Sequence, residues 1–326
     1  MTLGVLLVSF FTLIQFNCEN LFDCVDDPKK ADEEFLPDAY RHWTKGRYWK
    51  KLNGIGQEIV ACGGEGDNWK LPDLVALCEV ENDSVMRDLT KKSLLRTAGY
   101  EYVVTHSPDI RGINVALMYS PFTFRLLHHQ SITVPLVKDM RPTRDILYVK
   151  GTVITGDTLH VFVLHAPSRS MGEANSRPYR VAVAKRLCSV TDSIRRVNAH
   201  AEIIVAGDFN DYGKAEALQR ISENGLVDVT KDAKGKNGSK GTYRYHGEWG
   251  SLDHVFVSST MAARWVESFI YDADFLLEDD EKYGGKHPKR TYLGPKYIGG
   301  YSDHLPLVVR FCLKEKNGRK YENLIN

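Results

Sequence analysis

The feature that most constrains this chain is a short apolar run that ends in a polar cluster, residues 203–211 (IIVAGDFND). The run predicts a buried strand, and the polar residues follow where that strand ends. Asp208 and Asn210 stand two apart, so extended geometry points their side chains the same way. A carboxylate and an amide oxygen suit a hard divalent cation or a phosphate bound through one. Alone the stretch is weak evidence, because Gly-Asp-x-Asn also forms ordinary turns.

Five other segments of the chain repeat this design. Predicted strands at 11–16, 74–77 and 159–164 also end at polar side chains, whereas those at 255–258 and 305–311 begin just after them. The end of one strand and the start of its antiparallel neighbour lie on the same edge of a sheet. We therefore expect one shared edge, called the polar rim, formed by Asn17, Glu19, Glu79, His165, Asp208, Asn210, Asp253, Asp303 and His304.

The chemistry of such a rim follows from its donor atoms. Carboxylate and amide oxygens without a cysteine partner favour Mg²⁺, Mn²⁺ or Ca²⁺ over zinc. Histidines beside carboxylates act as general bases or as cationic phosphate ligands. The sequence has neither a GxSxG motif nor a P-loop. Metal-assisted attack of water on phosphorus therefore fits best.

Composition limits the remaining interpretations. With a net charge of +1 over 326 residues, the chain is not a nucleic-acid binder that works by bulk charge. The six cysteines include no CxxC pair, which excludes a typical zinc site, whereas a Cys18–Cys24 bridge stays open. Polar residues interrupt the apolar N-terminus, so we expect no membrane span. Residues 1–9 are interpreted as a leader remnant before the first strand, and the compartment, cytoplasmic or exported, stays open.

Apolar residues at helical spacing predict helices at 43–62, 84–98 and 181–197, with a loop at 172–180. The segment 278–300 contains several cations, and two interpretations of them stay open. They form either a local basic edge near the polar rim or a solvated loop. These cations are Lys282, Lys286, Lys289 and Arg290.

Seven motifs, taken together, resemble the endonuclease/exonuclease/phosphatase superfamily. They are FNCENLF, LCEVEN, RGINVALMY, LHAPSR, AGDFND, GSLDHVFV and YSDHLPL, and they run in the superfamily's order from residue 11 to 311. The resemblance implies an α/β fold, a four-layered α/β sandwich of two mostly antiparallel β-sheets packed face to face with helices on the outside. It also implies one catalytic domain over residues 1–326, here expected to be a monomer.

The resemblance further implies a Mg²⁺ cofactor, with Mn²⁺ or Ca²⁺ as alternatives. Glu79 would be the principal metal ligand, and Asn17 and Glu19 would lie beside it. Asp303 would supply a second carboxylate on the metal side.

Five residues would then carry the catalytic roles. Asp208 would orient or deprotonate the attacking water, and Asn210 would hold a phosphate oxygen. His304, paired with Asp253, would act as base or phosphate clamp. His165 would bond the scissile phosphate or assist the leaving group, and which histidine is the base stays open.

Four residues are candidates for substrate binding. Arg111 is either a phosphate clamp or a surface arginine at a turn, and Asn114 follows it at the start of a strand. Ser168 stands where apurinic endonucleases of this superfamily have asparagine, and Arg169 follows it. That departure argues against an abasic-site substrate.

Two functions remain from these arguments. The first is a metal-dependent phosphodiesterase, in particular a nuclease, with nucleic acid as partner. The second is a phosphatase or phosphodiesterase acting on a small or lipid-linked phosphate, such as an inositol phosphate or sphingomyelin. A binding module with a dead site is disfavoured, because no expected catalytic position is substituted.

Overall fold

The computed structural model describes residues 10–64, 69–170 and 172–313, so the leader remnant expected at 1–9 lies outside the described residues. The first nine strands are β1 Phe11–Leu21, β2 Leu74–Val80, β3 Glu101–Val104, β4 Asn114–Tyr119, β5 Phe124–Ile132, β6 Ile146–Val153, β7 Thr158–His165, β8 Glu202–Asp208 and β9 Val227–Asp228. The next nine are β10 Tyr243–Tyr245, β11 Glu248–Gly250, β12 Asp253–Val257, β13 Trp265–Ile270, β14 Leu277–Asp279, β15 Lys286–Pro288, β16 Tyr292–Leu293, β17 Lys296–Tyr297 and β18 Leu307–Phe311.

The helices connect these strands along the outside of the molecule. The α-helices are α1 Lys45–Ala61, α2 Asp83–Lys91, α3 Glu173–Val197, α4 Glu216–Glu223 and α5 Ser259–Ala262, and short 3₁₀ turns occupy Glu33–Phe35, Leu94–Thr97 and Asp274–Leu276. None of the helices in the described ranges combines the length and apolar character needed to cross a bilayer.

Two six-stranded sheets carry the fold. Their strand orders are β13-β18-β1-β2-β4-β3 and β5-β6-β7-β8-β12-β9. Neighbouring strands are antiparallel except for two parallel pairs, β1 with β2 and β7 with β8. The mostly antiparallel sandwich predicted from sequence is confirmed.

Three apolar layers hold the sheets and helices together. Side chains that alternate along each strand bury one face against the other sheet and one against a helix. Leu13, Val163 and Ile204 pack between the sheets. On the outer faces, Ile14 lies in a cluster with residues of α1 and α2, and Val205 in one with residues of α3 and α4. The order of layers is therefore helix, sheet, sheet, helix.

Strand direction and register bring the polar clusters to one edge. His165 at the end of β7 pairs with Asp208 at the end of β8, and Asp208 pairs in turn with Asp253 at the start of β12. In the facing sheet, Asn17 of β1 pairs with Cys78 of β2. The two sheets thus contribute opposite sides of the same polar rim.

Several details differ from the expectations. The loop predicted at 172–180 is wrong, because α3 already begins at Glu173. Its first turns are held by an Arg177–Glu173 ion pair and by the hydroxyl of Ser176, which donates to the carbonyl of Gly172. The helix predicted at 84–98 divides into α2 and a 3₁₀ turn. All six cysteines are free thiols, so the Cys18–Cys24 bridge does not form.

Candidate active site

Asp208 lies at the centre of the polar rim and is almost fully buried. Its Oδ2 accepts a hydrogen bond from Nδ2 of Asn17 at 3.0 Å, across the gap between the sheets. The same oxygen lies 3.6 Å from Nε2 of His165 and 3.9 Å from Nε2 of His304. Burial and the charge of Asp253 raise the pKa of Asp208 to about 7. One carboxylate oxygen is thus held between two imidazoles.

His304 and Asp253 form a buried ion pair. Nδ1 of His304 lies 2.7 Å from Oδ2 of Asp253. Burial alone would lower the pKa of His304, but the charge and hydrogen bond of Asp253 outweigh it and raise the pKa to about 10. Gln15 and Thr242 also donate to the Asp253 carboxylate, at 2.8 and 2.6 Å. His304 is therefore a cation across the neutral pH range.

His165 has the opposite electrostatic environment. Burial, followed by the positive charges of Arg144, Arg111 and His304, holds its pKa well below the ordinary value. Arg144 also donates to the backbone carbonyls of His165 and Ala166, at 3.2 and 2.7 Å. The two histidines on either side of Asp208 thus have different charges, His165 neutral and His304 positive.

Of the expected metal ligands, Glu79 and Asn17 face Asp208, whereas Glu19 and Asp303 point elsewhere. Glu79 lies 3.9 Å from Nε2 of His165. Glu19 instead accepts from the amide of Thr291 and lies 3.7 Å from Nζ of Lys51. Asp303 is paired with Arg290 at 2.6 Å.

Backbone conformation explains why Glu19 departs from the expected alternation. The β1–β2 register shifts between Asn17 and Leu21, and Glu19 and Asn20 have φ values of 49° and 57°. Glu79 has φ 61°, at the register shift between β2 and β4. A β-bulge redirects a side chain at local cost, and such strain concentrates at functional sites. The amide of Asn20 donates to Oε2 of Glu79 at 2.8 Å, which joins the two bulges.

Asn210 follows Asp208 in a left-handed conformation, with φ 50°. Its amide N–H donates to Oδ1 of Asp208 at 2.8 Å, and its side-chain Nδ2 donates to the carbonyl of Ala166 at 3.0 Å. Asn210 therefore fixes the orientation of the Asp208 carboxylate and ties the ends of β7 and β8 together.

The four substrate candidates are dispersed around the rim. Arg111 donates to the side chain of Asn20 at 2.8 Å, close enough to His165 to influence its pKa. Arg169 pairs with Asp211 at 3.1 Å, and Ser168 is exposed. Asn114 is buried away from solvent, where Nδ2 donates to the carbonyl of Glu81 at 2.6 Å. Substrate contact by these four residues stays a prediction.

Sequence reasoning missed several supporting residues. Gln15 is the one amide side chain in the apolar stretch 11–16, and that anomaly could have marked it. Thr242 and Arg144 carried no such signal, because their partners are set by tertiary structure. Tyr243, whose ring centroid lies 4.9 Å from that of His304, was also missed.

The geometry fits a bound cation. Single ligand atoms of Asp208, Asp253 and His304 lie within 4.8 Å of one another. Because protonated His304 is paired with Asp253, Asp208 is the member of this group that would face a metal ion. Within the described ranges, no lysine or arginine forms an ion pair with Glu79 or Asp208. Cationic His304 lies 3.9 Å from Asp208 but is already paired with Asp253, and Glu79 is only half-buried. A metal ion beside Glu79 and Asp208 would therefore add favourable charge compensation.

Several solved structures share this architecture. Similar solved structures include an endonuclease/exonuclease/phosphatase family protein from Bacteroides thetaiotaomicron, with 16% identity, a TM-score of 0.62, and coverage of 94% of this chain and 96% of that one. A mannosyl-6-phosphatase from the same species has 16% identity and a TM-score of 0.59, covering 92% and 98%. The human nocturnin catalytic domain with bound sulfate has 17% identity and a TM-score of 0.56, covering 94% and 95%.

At these identities the structures establish the fold alone. A search of curated proteins finds no significant match. The sequence model of the Endonuclease/Exonuclease/phosphatase family, however, matches residues 12–313. The resemblance predicted from seven motifs is thereby confirmed, and this chain belongs to the Endonuclease/Exonuclease/phosphatase family.

Proposed function

We propose that this protein is a divalent-metal-dependent phosphodiesterase that cleaves nucleic acid by in-line attack of water. The proposal depends on the position of Oδ2 of Asp208, which lies between neutral His165 and cationic His304. Oε1 of Glu79 also lies near His165, at 3.9 Å from its Nε2. A carboxylate that can take a proton, a cation that can hold a phosphate oxygen and a site for a metal are the parts that this reaction needs.

Glu79, Asn17 and Asp208 would hold the cation, with Mg²⁺ as the expected metal and Mn²⁺ or Ca²⁺ as alternatives. When bound, the metal polarises a phosphoryl oxygen and stabilises negative charge that develops on it. Glu19 and Asp303 act indirectly in this proposal, because their carboxylates already have protein partners. They hold Arg290 and the backbone around Thr291 against the rim.

The other catalytic roles belong to side chains of the polar rim and to residues beside it. Asp208 orients the attacking water and accepts its proton. His304, protonated through Asp253, binds a phosphate oxygen as a fixed cation, and His165 donates a hydrogen bond as a neutral imidazole. Arg111 and Arg169 border the rim and offer further positive charge to the substrate, and Asn210 keeps Asp208 aligned.

A phosphatase or phosphodiesterase acting on a small or lipid-linked phosphate is the second candidate. The net charge of +1 favours it, because nonspecific nucleic-acid affinity comes largely from lysine and arginine contacts with phosphates. One structural neighbour is a mannosyl-6-phosphatase.

The decisive experiment compares substrates under matched metal conditions. Plasmid DNA, bis(p-nitrophenyl) phosphate and a panel of sugar phosphates, inositol phosphates and sphingomyelin are each incubated with Mg²⁺, Mn²⁺ or EDTA. We expect metal-dependent cleavage of DNA and of the small diester, lost in Asp208→Asn and Glu79→Gln. Phosphate release from a small monoester with inert DNA would establish the second candidate instead. Undiminished hydrolysis by both variants would refute the site assignment.

A further inference from the structure

A row of aromatic side chains leads away from the polar rim. This row, called the aromatic strip, consists of Tyr212, Tyr243, Tyr245, His246 and Tyr283. Tyr245 and His246 stack with centroids 4.0 Å apart, and His246 and Tyr283 stack at 5.8 Å. Three of its members expose large areas: Tyr245 58%, Tyr283 44% and Tyr212 42%. The strip is thus a solvent-facing surface of rings.

The inner end of the strip belongs to the candidate active site. Tyr243 forms a β-bridge with His304, and their rings lie 4.9 Å apart. Tyr245 stands two residues further along β10, so its side chain leaves the same face of the hairpin. Gly250 pairs with Tyr243, and a Cβ at Gly250 would lie 2.4 Å from the Tyr212 ring. Tyr212 therefore packs on that face as well.

The outer end is rigidly built. His246 and Gly247 both have positive φ, 49° and 83°, as the tight turn of a two-residue hairpin requires. The Arg244 guanidinium joins this turn to the loop that carries Tyr283. It donates to the carbonyls of Gly247 at 3.0 Å and Gly284 at 2.6 Å. A half-buried arginine that ties two loops together holds the stack in place before any ligand arrives.

Cations alternate with the rings along the strip. The Arg169 guanidinium lies 4.9 Å from the Tyr212 ring centroid, and Nζ of Lys282 lies 4.7 Å from that of Tyr283. Arg290 also lies beside Tyr243, where it is paired with the Asp303 carboxylate. Rings that accept bases, interspersed with cations that follow a phosphate backbone, are typical of single-strand nucleic-acid binding. A monosaccharide would cover one ring and leave the rest of the strip unused.

We propose that a single-stranded nucleic acid lies along the aromatic strip, with its bases stacked on Tyr245 and Tyr283 and its scissile phosphate at the polar rim. This inference rests on the proposed function and specifies its substrate. It also accounts for a chain of near-neutral net charge that acts on nucleic acid, because stacking replaces part of the missing bulk charge.

The test uses the double variant Tyr245→Ala/Tyr283→Ala. Binding is measured by fluorescence anisotropy with fluorescein-labelled oligothymidylate in EDTA, and cleavage kinetics are measured on the same oligonucleotide. We expect the Kd and KM for the oligonucleotide to rise about tenfold or more, since stacking contributes about 1–3 kcal/mol per base. Hydrolysis of bis(p-nitrophenyl) phosphate, which carries no nucleotide chain to extend over Tyr245 and Tyr283, should stay within twofold of wild type.

Two variants serve as controls for this measurement. Tyr245→Phe/Tyr283→Phe keeps the rings and should bind the oligonucleotide like wild type. Phe122→Ala removes an 82% exposed aromatic side chain at the end of the sheet opposite the rim and should have no effect. Equal oligonucleotide affinity in wild type and the alanine double variant would overturn the proposal, as would an equal loss on both substrates.

The same measurements separate this proposal from the proposed function. Wild type that hydrolyses bis(p-nitrophenyl) phosphate but does not bind oligothymidylate would refute the strip and keep the metal-dependent hydrolase. Wild type that hydrolyses neither would refute the phosphodiesterase itself.

Discussion

At the scale of single residues, the charge of His304 depends on one neighbour, Asp253. Because that pair raises the pKa of His304 to about 10, the imidazole stays protonated at neutral pH and loses its proton only as the pH rises towards 10. Asp253→Asn should return the pKa towards the ordinary histidine range. If catalysis requires a cationic His304, the Asp253→Asn variant should lose activity above about pH 6.5, with kcat about 100-fold below wild type.

The pH–rate profile with bis(p-nitrophenyl) phosphate checks this expectation. Asp228→Asn removes the partner of a different histidine, His254, at 3.0 Å, and should leave the profile unchanged. Activity in Asp253→Asn that increases with pH through about 6.5 would contradict the cationic role and make His304 the base.

Glu58 gives a second prediction, on stability. It is fully buried in α1, and neither carboxylate oxygen has a hydrogen-bond partner among the described residues. Burial raises its pKa well above the ordinary value, so its contribution favours folding at low pH and is lost as the pH rises through that raised pKa. Glu58→Gln should stabilise the protein by about 1–3 kcal/mol at pH 8 and little at pH 4.

Urea unfolding across that pH range measures the difference. Glu33→Gln, an exposed change of the same chemistry, should have no pH-dependent effect. The free energy of unfolding of Glu58→Gln could instead change with pH as it does in wild type. That result would show that Glu58 is not a buried carboxyl with a raised pKa.

The sequence predicted the rim residues because strand ends leave a local signal, apolar residues followed by polar ones. It did not predict their partners. Thr291 donates to Glu19 across 272 positions, and Thr242 donates to Asp253 across the β10–β11 hairpin that separates them. Such contacts depend on loop conformation, which hydrophobic periodicity does not encode. The bulges at Glu19 and Glu79 could not be predicted from the sequence either, because the alternation of side chains with a period of two assumes regular strands.

At the scale of elements, the parallel contact of β7 and β8 aligns His165 with Asp208. A Cβ at Gly207 would lie 2.0 Å from the backbone oxygen of Leu164, so the two strands approach closely only because residue 207 is glycine. Gly207→Ala should push the strands apart, destabilise the fold by about 3 kcal/mol or more, and reduce activity even where the protein is folded.

Gly213→Ala is the matched control, since nothing lies within 4 Å of a Cβ at that position. Thermal unfolding and specific activity of both variants provide the measurement. Wild-type stability in Gly207→Ala would mean that the β7–β8 spacing does not depend on this residue.

At the scale of the whole molecule, the rim joins two sheets, and each sheet contributes a carboxylate beside His165, Glu79 from one and Asp208 from the other. Within the described ranges neither of these two carboxylates forms an ion pair with lysine or arginine. A divalent cation bound there should therefore stabilise the native state, by about 2.7 kcal/mol at 100 times its Kd. We expect the melting temperature to rise with Mg²⁺ or Mn²⁺ and to fall again with EDTA.

Glu79→Gln should lose most of this metal-dependent rise, whereas Glu33→Gln should keep it. Potassium chloride at matched ionic strength controls for general screening. A melting temperature in wild type that metal leaves unchanged would contradict a metal site between the sheets.

The order in which the chain supplies its strands has a consequence for biosynthesis. The middle of the sequence, from β5 to β12, builds one sheet, whereas the other combines β1–β4 with β13 and β18. On the ribosome, β1 is made early but lacks its partner β18 until nearly all of the described chain has emerged, and His304 arrives only just before that strand. A nascent chain therefore cannot complete the candidate active site until the segment from His304 to β18 has been made, and under the proposed function hydrolysis begins only after that segment has folded.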